Sequence, residues 1–575
     1  MKKFLLSIIP VILIIVNGSA QINLPHRMTA DEQLKMPAYL QSRFNSSAVV
    51  PPSSPVRTMA EWEELQGLLI GWKQFSSMLT EIVREAKKEC MVYIVTNNRI
   101  SVYNTLNNAG IDTLTNITFV DIPFNSVWSR DYGPWSAYTN DVDSLLTIDW
   151  IYNRPRPDDD QVPVTIAGLI NTPLYQTTSS PYDLIHTGGN FMCDGFGTGF
   201  SSNLIVNENP NHTIAEIDTI MKKFMGIDRY IKMPVLPYDA IHHIDMHMKL
   251  LNEETLLMGQ YPQGIADGPQ IEANLLYVTS NFNSVFGTPY KIIRIPMPAD
   301  NGAYPNTTGD YLTYTNSSFI NNTVIVPTYN IPQDTTALRI YREALPGYTI
   351  VGINSNASIG SLGALHCITK DIGTNDPLLI SHQQLSDTYD SVNAYTVTAF
   401  IKHRSGIQNA TIYYRTDTLM PYTSAPMFPV SGLNDYFSGL IPAQPAGSHV
   451  YYYIHAEANS GKQQVRPMPA PAAYFLFNVL GTTGMNEVAS SVTAEPAFPN
   501  PASAITCIPL HVSQTQHIDI TLSDITGKQV KNIFEGTIYQ GQQFKFFDAS
   551  ELAKGAYILI IRSDSDVLTQ KIMVR

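Results

Sequence analysis

In the stretch SLGALHCITK, Ser361–Lys370, a histidine stands directly before one of only four cysteines in the chain. A thiolate is a nucleophile only when a cationic or proton-accepting partner assists it. Alternation along a strand would turn His366 and Cys367 to opposite sides, so the partner must come from elsewhere. The stretch IHHIDMHMK, Ile241–Lys249, offers one. Read as a strand, it puts His243, Asp245 and His247 on one face. There His243 could serve as a general base beside a substrate-binding carboxylate, the three could hold a metal, or the histidines could be buried and structural. Two more stretches carry unusual polar groups. In VWSRDYGPW, Val127–Trp135, Asp131 sits among aromatic residues and could simply cap the Gly-Pro turn after it. In TGGNFMCDG, Thr187–Gly195, paired glycines before Asn190 let backbone approach a ligand or a neighbouring chain closely. Each stretch alone has a purely structural reading, and a lone cysteine is commonly a small buried apolar residue.

A fifth stretch, IYNRPRPDDD from Ile151 to Asp160, places prolines after Arg154 and Arg156 and holds both in extended geometry. In a β-like conformation the two share a face, where a pair of guanidinium groups could grip one carboxylate. The alternative is a solvated loop in which Asp158, Asp159 and Asp160 neutralise them.

These residues need a scaffold. At 575 residues the chain exceeds what one core organises, roughly 250 to 300 residues, so several domains are expected. With 44% hydrophobic and 15% charged residues it is a globular composition. A net charge of −13 without a long Lys/Arg run argues against a nucleic-acid partner. Residues 1–20 read as a signal peptide: two lysines, an apolar run from Phe4 to Val16 too short to span a bilayer, and small residues ending at Ala20. Scattered Cys90, Cys193, Cys367 and Cys507 form no disulfide framework. Residues 21–55 read as a flexible arm or propeptide. Over residues 56–378 short apolar runs such as MVYIVT, TVIVPTY and YTIVGIN alternate with amphipathic stretches at Phe75–Lys88 and Ile214–Gly226, the pattern of an α/β domain. Residues 379–480 carry strand-like runs at the spacing of an immunoglobulin-like β-sandwich. A small-residue linker, 481–494, leads to a β-rich unit at 495–575.

Taken in chain order, WSRDYGP (Trp128–Pro134), GGN (Gly188–Asn190), HID (His243–Asp245) and GALHCIT (Gly363–Thr369) resemble the bacterial peptidylarginine deiminase and agmatine deiminase family, guanidine-modifying enzymes of the pentein fold. The resemblance implies five ββαβ units around a central site, a five-bladed α/β propeller. It implies that Asp131 and Asp245 clamp a planar guanidinium in charge-assisted bonds, with Trp128 as an apolar or cation–π wall. Cys367 would attack the guanidinium carbon and form a thiouronium intermediate, and His243 would act as acid and then as base. Asn316, in YTNSSF, and Asn190 would contact substrate. No metal or organic cofactor is implied.

The NRPRP segment resembles secreted family members that act on peptidyl arginine, whose matching arginines bind the substrate's terminal carboxylate; this assigns Arg154 and Arg156. Agmatine has no carboxylate. Ala240 stands where those members have tyrosine, and Lys370 where agmatine enzymes usually carry glutamine. The last unit, with Pro499-Asn500-Pro501, DITGK at Asp524–Lys528, LAKGAYIL at Leu552–Leu559 and terminal KIMVR, resembles a type IX secretion sorting domain. The expectation is thus a protein-arginine deiminase, secreted or at the cell surface of a Gram-negative bacterium, with arginine-bearing peptides or proteins as substrates and the secretion machinery as partner. The alternatives are an exported agmatine or free-arginine deiminase, a metal-dependent hydrolase built on His243, Asp245 and His247, and a catalytically silent surface adhesin.

Overall fold

A computed structural model describes residues 24–44, 49–262, 265–299, 311–481, 491–503, 505–563 and 566–575. The expected signal peptide lies outside them. From Val56 to Gly373 the chain repeats one pattern five times: two antiparallel strands, a helix, and a third strand parallel to the second. The first complete unit is Trp135–Thr139, Leu145–Tyr152, helix Val162–Leu169 and Leu174–Thr177. Units beginning at Met192, Met248 and Ser318 follow. The fifth is split across the domain's ends: Lys370–Gly373 pairs antiparallel with Leu65–Gly71, which runs parallel to Met91–Thr96.

The helices form where sequence periodicity and end signals agree. In Ile214–Met225 the residues Ile217, Ile220, Met221 and Phe224 recur at three- and four-residue spacing and are buried. Thr213 and Glu216 close a capping box at its start. Gly226 ends it with φ 67°, where any Cβ would collide with the Val56 carbonyl.

Three sequence expectations need correction. Residues 21–55 are not a flexible arm throughout: Ala30–Arg43 is a helix with a Thr29–Glu32 capping box, and Tyr39 packs with Ile151 and Ile185. Ile241–Lys249 is not a strand: His243, Asp245 and His247 line a single 3-10 turn, Ile244–Met246, before strand Met248–Asn252. Cys367 lies in another such turn, His366–Ile368, so strand alternation does not govern its neighbours.

Residues Leu379–Asn478 contribute eight strands to one antiparallel sheet with its own core, including Val397, Ile401, Ile412, Tyr452 and Ile454. Beyond it, two sheets, Val492–Ala494/Ile505–Val512/Gly541–Asp548 and Gln516–Asp524/Gln529–Ile538/Gly555–Ser563/Val567–Val574, share a core. The expected linker therefore ends three residues early, at a strand. Phe544 and Cys507 of this unit join the core of the α/β region, and the Phe544 amide donates to Gln260 Oε1 at 2.7 Å. All four cysteines are unpaired and buried.

Candidate active site

Seven of the residues named from the sequence share one topological place, the short turn just before the first strand of a unit, while Arg154 and Arg156 follow the second strand of the first unit. Trp128 and Asp131 precede Trp135–Thr139, Asn190 precedes Met192–Cys193, and His243 with Asp245 precedes Met248–Asn252. Asn316 precedes Ser318–Ile320, and Cys367 precedes Lys370–Gly373. Glycines permit the close approach. A Cβ on Gly189 would collide with His243 Nδ1, and one on Gly188 with the Arg130 carbonyl. Gly363 lies where a Cβ would press on both Trp128 and Cys367.

Cys367 Sγ lies 3.2 Å from Asn316 Nδ2 and 3.7 Å from Asp245 Oδ2. Burial, then the Asp245 and Asp131 carboxylates, push this thiol well above its ordinary value. Asn316 Oδ1 accepts from the backbone amides of Ala364, His366 and Cys367 at 3.2, 3.0 and 3.4 Å, so the amide that faces the sulfur also shapes its turn. Asp131 Oδ1 accepts from Gly189 N at 3.1 Å and is 3.7 Å from His243 Nδ1. Burial alone would raise Asp131, but His26 and His243 beside it hold its carboxyl below the usual carboxylate range. Burial lowers His243 to about 3 against the pull of Asp131, so the ring is neutral. The Asn190 amide bonds the Ser202 backbone at both ends and holds the Gly188–Asn190 turn.

The metal alternative is not supported by placement. Among the described residues His243, Asp245 and His247 do not come within ligating distance of one another; the group that does is His26, Asp131 and His243, within 4.8 Å. His366 is no base for Cys367 either, since its Nδ1 faces Asp245 Oδ2 at 2.7 Å and its Nε2 faces Glu61 Oε1 at 2.8 Å. Burial opposes the charge of Glu61, but His366, Lys249 and Arg130 hold it well below the usual range.

Neither arginine side chain is hydrogen-bonded to the aspartates that follow it, although Asp159 lies near enough to Arg156 to favour its charge. Asp159 is buried and accepts from Ser126 and Asn125, while Arg156 Nε donates to Glu32 Oε1 at 2.7 Å and Arg154 Nε to the His26 carbonyl at 3.2 Å. Sequence reasoning missed His26 and Glu32 altogether. It also missed Glu61, one of three glutamates in EWEE with nothing in their spacing to single it out; the Thr29-x-x-Glu32 box was the one visible signal of order in the arm.

Residues 57–372 match the family described as Porphyromonas-type peptidyl-arginine deiminase, more than half of the chain. The chain belongs to that family. It is a deiminase, a hydrolase of guanidino C–N bonds. Residues 496–575 match the secretion-system C-terminal sorting domain, which marks the deiminase for export. Relatives include a protein of Vibrio parahaemolyticus named "Putative agmatine deiminase", 24% identical over 288 residues, covering 45% of this chain and 78% of the relative. One of the same name from Shewanella baltica is 26% identical over 289 residues, covering 45% and 76%. Among solved structures, one titled as the "Putative Arginine Deiminase from Porphyromonas gingivalis" has TM-score 0.50 and 18% identity, covering 56% of this chain and 99% of that one. Another, titled a "putative agmatine deiminase", has TM-score 0.51 and 18% identity, covering 57% and 100%. These likenesses establish the pentein-type fold of the deiminase region.

Proposed function

We propose that the chain is an exported protein-arginine deiminase that hydrolyses peptidyl arginine, preferentially at a C-terminus, to citrulline and ammonia. The observation that supports this reading is the pairing of two receptors within one short reach. Trp128 and Asp131 hold a flat ring, while Arg156 holds a carboxylate and Arg154 a carbonyl, all on the same segment of chain. A peptide ending in arginine offers a flat cation and a carboxylate together; agmatine offers only the first.

In this reading Asp131 and Asp245 clamp the guanidinium. The buried thiol of Cys367 keeps its proton until a cation between the two carboxylates offsets their repulsion, and the proton then passes to neutral His243. The thiolate adds to the guanidinium carbon. One terminal C–N bond breaks as that nitrogen takes the proton from His243 and leaves as ammonia, and the thiouronium stays on Cys367. Water gives a proton to His243 and adds to the same carbon, the C–S bond breaks as His243 returns that proton to sulfur, and the new hydroxyl's proton leaves with the ammonia as ammonium when the ureido product forms. The five units stand as blades around this site. Residues 379–480 form an immunoglobulin-like module, and the leader is cut after Ala20.

The test compares ureido product from a peptide ending in arginine, the same peptide with an amidated terminus, and agmatine. It is run on the full chain and on a chain starting at Val49, because residues 24–43 cover the site. In the chain starting at Val49, where no segment competes for it, Arg156→Ala is expected to raise KM for the free-acid peptide about tenfold or more, the loss of a charged hydrogen bond of about 1.5–3 kcal/mol, and to leave agmatine unchanged. Equal turnover of acid and amide sinks the C-terminal preference, and faster turnover of agmatine sinks the peptide reading.

A further inference from the structure

The segment Leu24–Arg43 lies across the residues assigned to substrate, and it does so with side chains that copy the substrate's chemistry. His26 is fully buried. Its ring stacks on Trp128 with centroids 4.3 Å apart and planes 11° apart. Nε2 meets Asp131 Oδ2 at 2.6 Å and Nδ1 meets the Leu362 carbonyl at 2.7 Å. Both ring nitrogens thus face oxygen acceptors in the plane of a flat ring, as the N–H groups of a guanidinium would. The backbone on either side is held as a peptide would be. Trp128 Nε1 donates to the Leu24 carbonyl at 3.1 Å, Arg156 to that of Pro25 at 2.7 Å, and Arg154 to that of His26 at 3.2 Å. Six residues on, Glu32 gives its carboxylate to Arg156. Helix Ala30–Arg43 then anchors the segment away from the site, through Tyr39 against Ile151 and Ile185 and through an ion pair of Arg43 with buried Asp160.

We infer that residues 24–43 are a tethered, substrate-mimicking inhibitory segment: His26 occupies the guanidinium seat, Glu32 occupies the carboxylate seat, and the site opens only when the segment is cut away or displaced. This inference deepens the function proposed above and rests on it for the identity of the two seats. The arrangement explains two features that the reaction itself does not need. One is a capping box on an N-terminal arm, which fixes Glu32 at the helix start where it can reach Arg156. The other is the fit of a flat ring between Trp128 and Asp131. A tether places its own end near the site at an effective concentration in the millimolar range, so modest intrinsic affinity suffices. If the segment lifts one time in a hundred, apparent activity is reduced about a hundredfold.

The experiment uses the full chain and two readouts. One is turnover of a peptide ending in arginine. The other is the rate at which Cys367 is alkylated by iodoacetamide, read by peptide mass spectrometry, which needs access to the sulfur but no catalysis. The variants are His26→Ala, Glu32→Ala and the pair, with Lys35→Ala, an exposed position on the same helix, as control. The expected result is a rise of about tenfold or more in both rates for the single and double variants and none for the control. Adding a synthetic peptide of residues 24–43 at millimolar concentration should reverse the rise, in competition with substrate. Faster alkylation without faster turnover of the peptide keeps the inhibitory segment and overturns the peptidyl-arginine reading. Unchanged alkylation and turnover in all variants, with no effect of the added peptide, overturns the inference.

Discussion

Asn316 is the residue on which the geometry of the thiol turns. Its carbonyl oxygen gathers three backbone N–H groups of the Cys367 turn while its amide nitrogen faces the sulfur. The two functions separate by mutation. Asn316→Ala leaves the buried donors unmet and should cost about 1–3 kcal/mol of stability together with turnover. Asn316→Asp keeps the acceptor but removes the donor and sets a negative charge beside the thiol. Thermal unfolding should then stay near that of the unaltered chain, while kcat falls about tenfold or more. Unaltered kcat in Asn316→Asp would show that the sulfur does not depend on this amide. The sequence placed Asn316 only by resemblance, because one asparagine in YTNSSF has nothing in its spacing to distinguish it. Cys367 and Asp131 stand in stretches whose glycine, proline or aromatic residues mark a tight turn, whereas His243 and Asp245 stood out only as a carboxylate set between histidines. The bonds of Asn190 to the Ser202 backbone were not legible, because paired glycines that let backbone approach a ligand equally let it approach a neighbouring strand.

Among the elements, the lesson concerns turns. The apolar runs expected as strands at Met91–Thr96, Thr323–Thr328 and Thr349–Asn354 are strands, and the amphipathic stretches are helices at Ser76–Ala86 and Ile214–Met225. Both periods persist because each element buries one face. The site turns escaped such reading. His243, Asp245 and His247 recur at period two, which imitates a strand, yet they flank a single 3-10 turn whose geometry no periodicity records. Helix Ala30–Arg43 was obscured by Pro37 in its middle and by its mostly polar exposed face. Gly226 offers a direct test of how tightly one helix end is docked. Gly226→Ala must bear both a left-handed backbone, about 1–2 kcal/mol, and a collision with the Val56 carbonyl. Gly447→Ala, at φ 88° with no atom in the way, bears only the first. The fall in thermal midpoint should be clearly larger for Gly226→Ala, and equal falls would contradict the close packing of this helix end against the strand at Val56.

For the whole molecule, buried histidines shape acid stability. Burial lowers His186 and His243 to about 3 and His247 and His382 to about 4. Below the ordinary histidine value near 6.5 the unfolded chain takes up protons that the folded chain refuses. Their contribution is therefore intact above pH 6.5 and drains as pH falls toward 4. Buried Asp159, Asp160 and Glu208, raised by burial to about 6, 6 and 7, act in the opposite sense, so the informative quantity is a difference between variants. His247 makes no hydrogen bond through either ring nitrogen. His247→Phe should accordingly lose less thermal stability between pH 7 and pH 5 than the unaltered chain does, and parallel losses would refute the assignment.

The split fifth unit has a consequence for biosynthesis. Gly373 pairs with Leu65, so the strand that follows the Cys367 turn completes a sheet begun about three hundred residues earlier. A nascent polypeptide that has emerged as far as Asn354 has four of the five site turns, but neither Cys367 nor the strand that completes the first sheet. An unfinished or prematurely terminated translation product therefore lacks the assembled site that the finished deiminase carries.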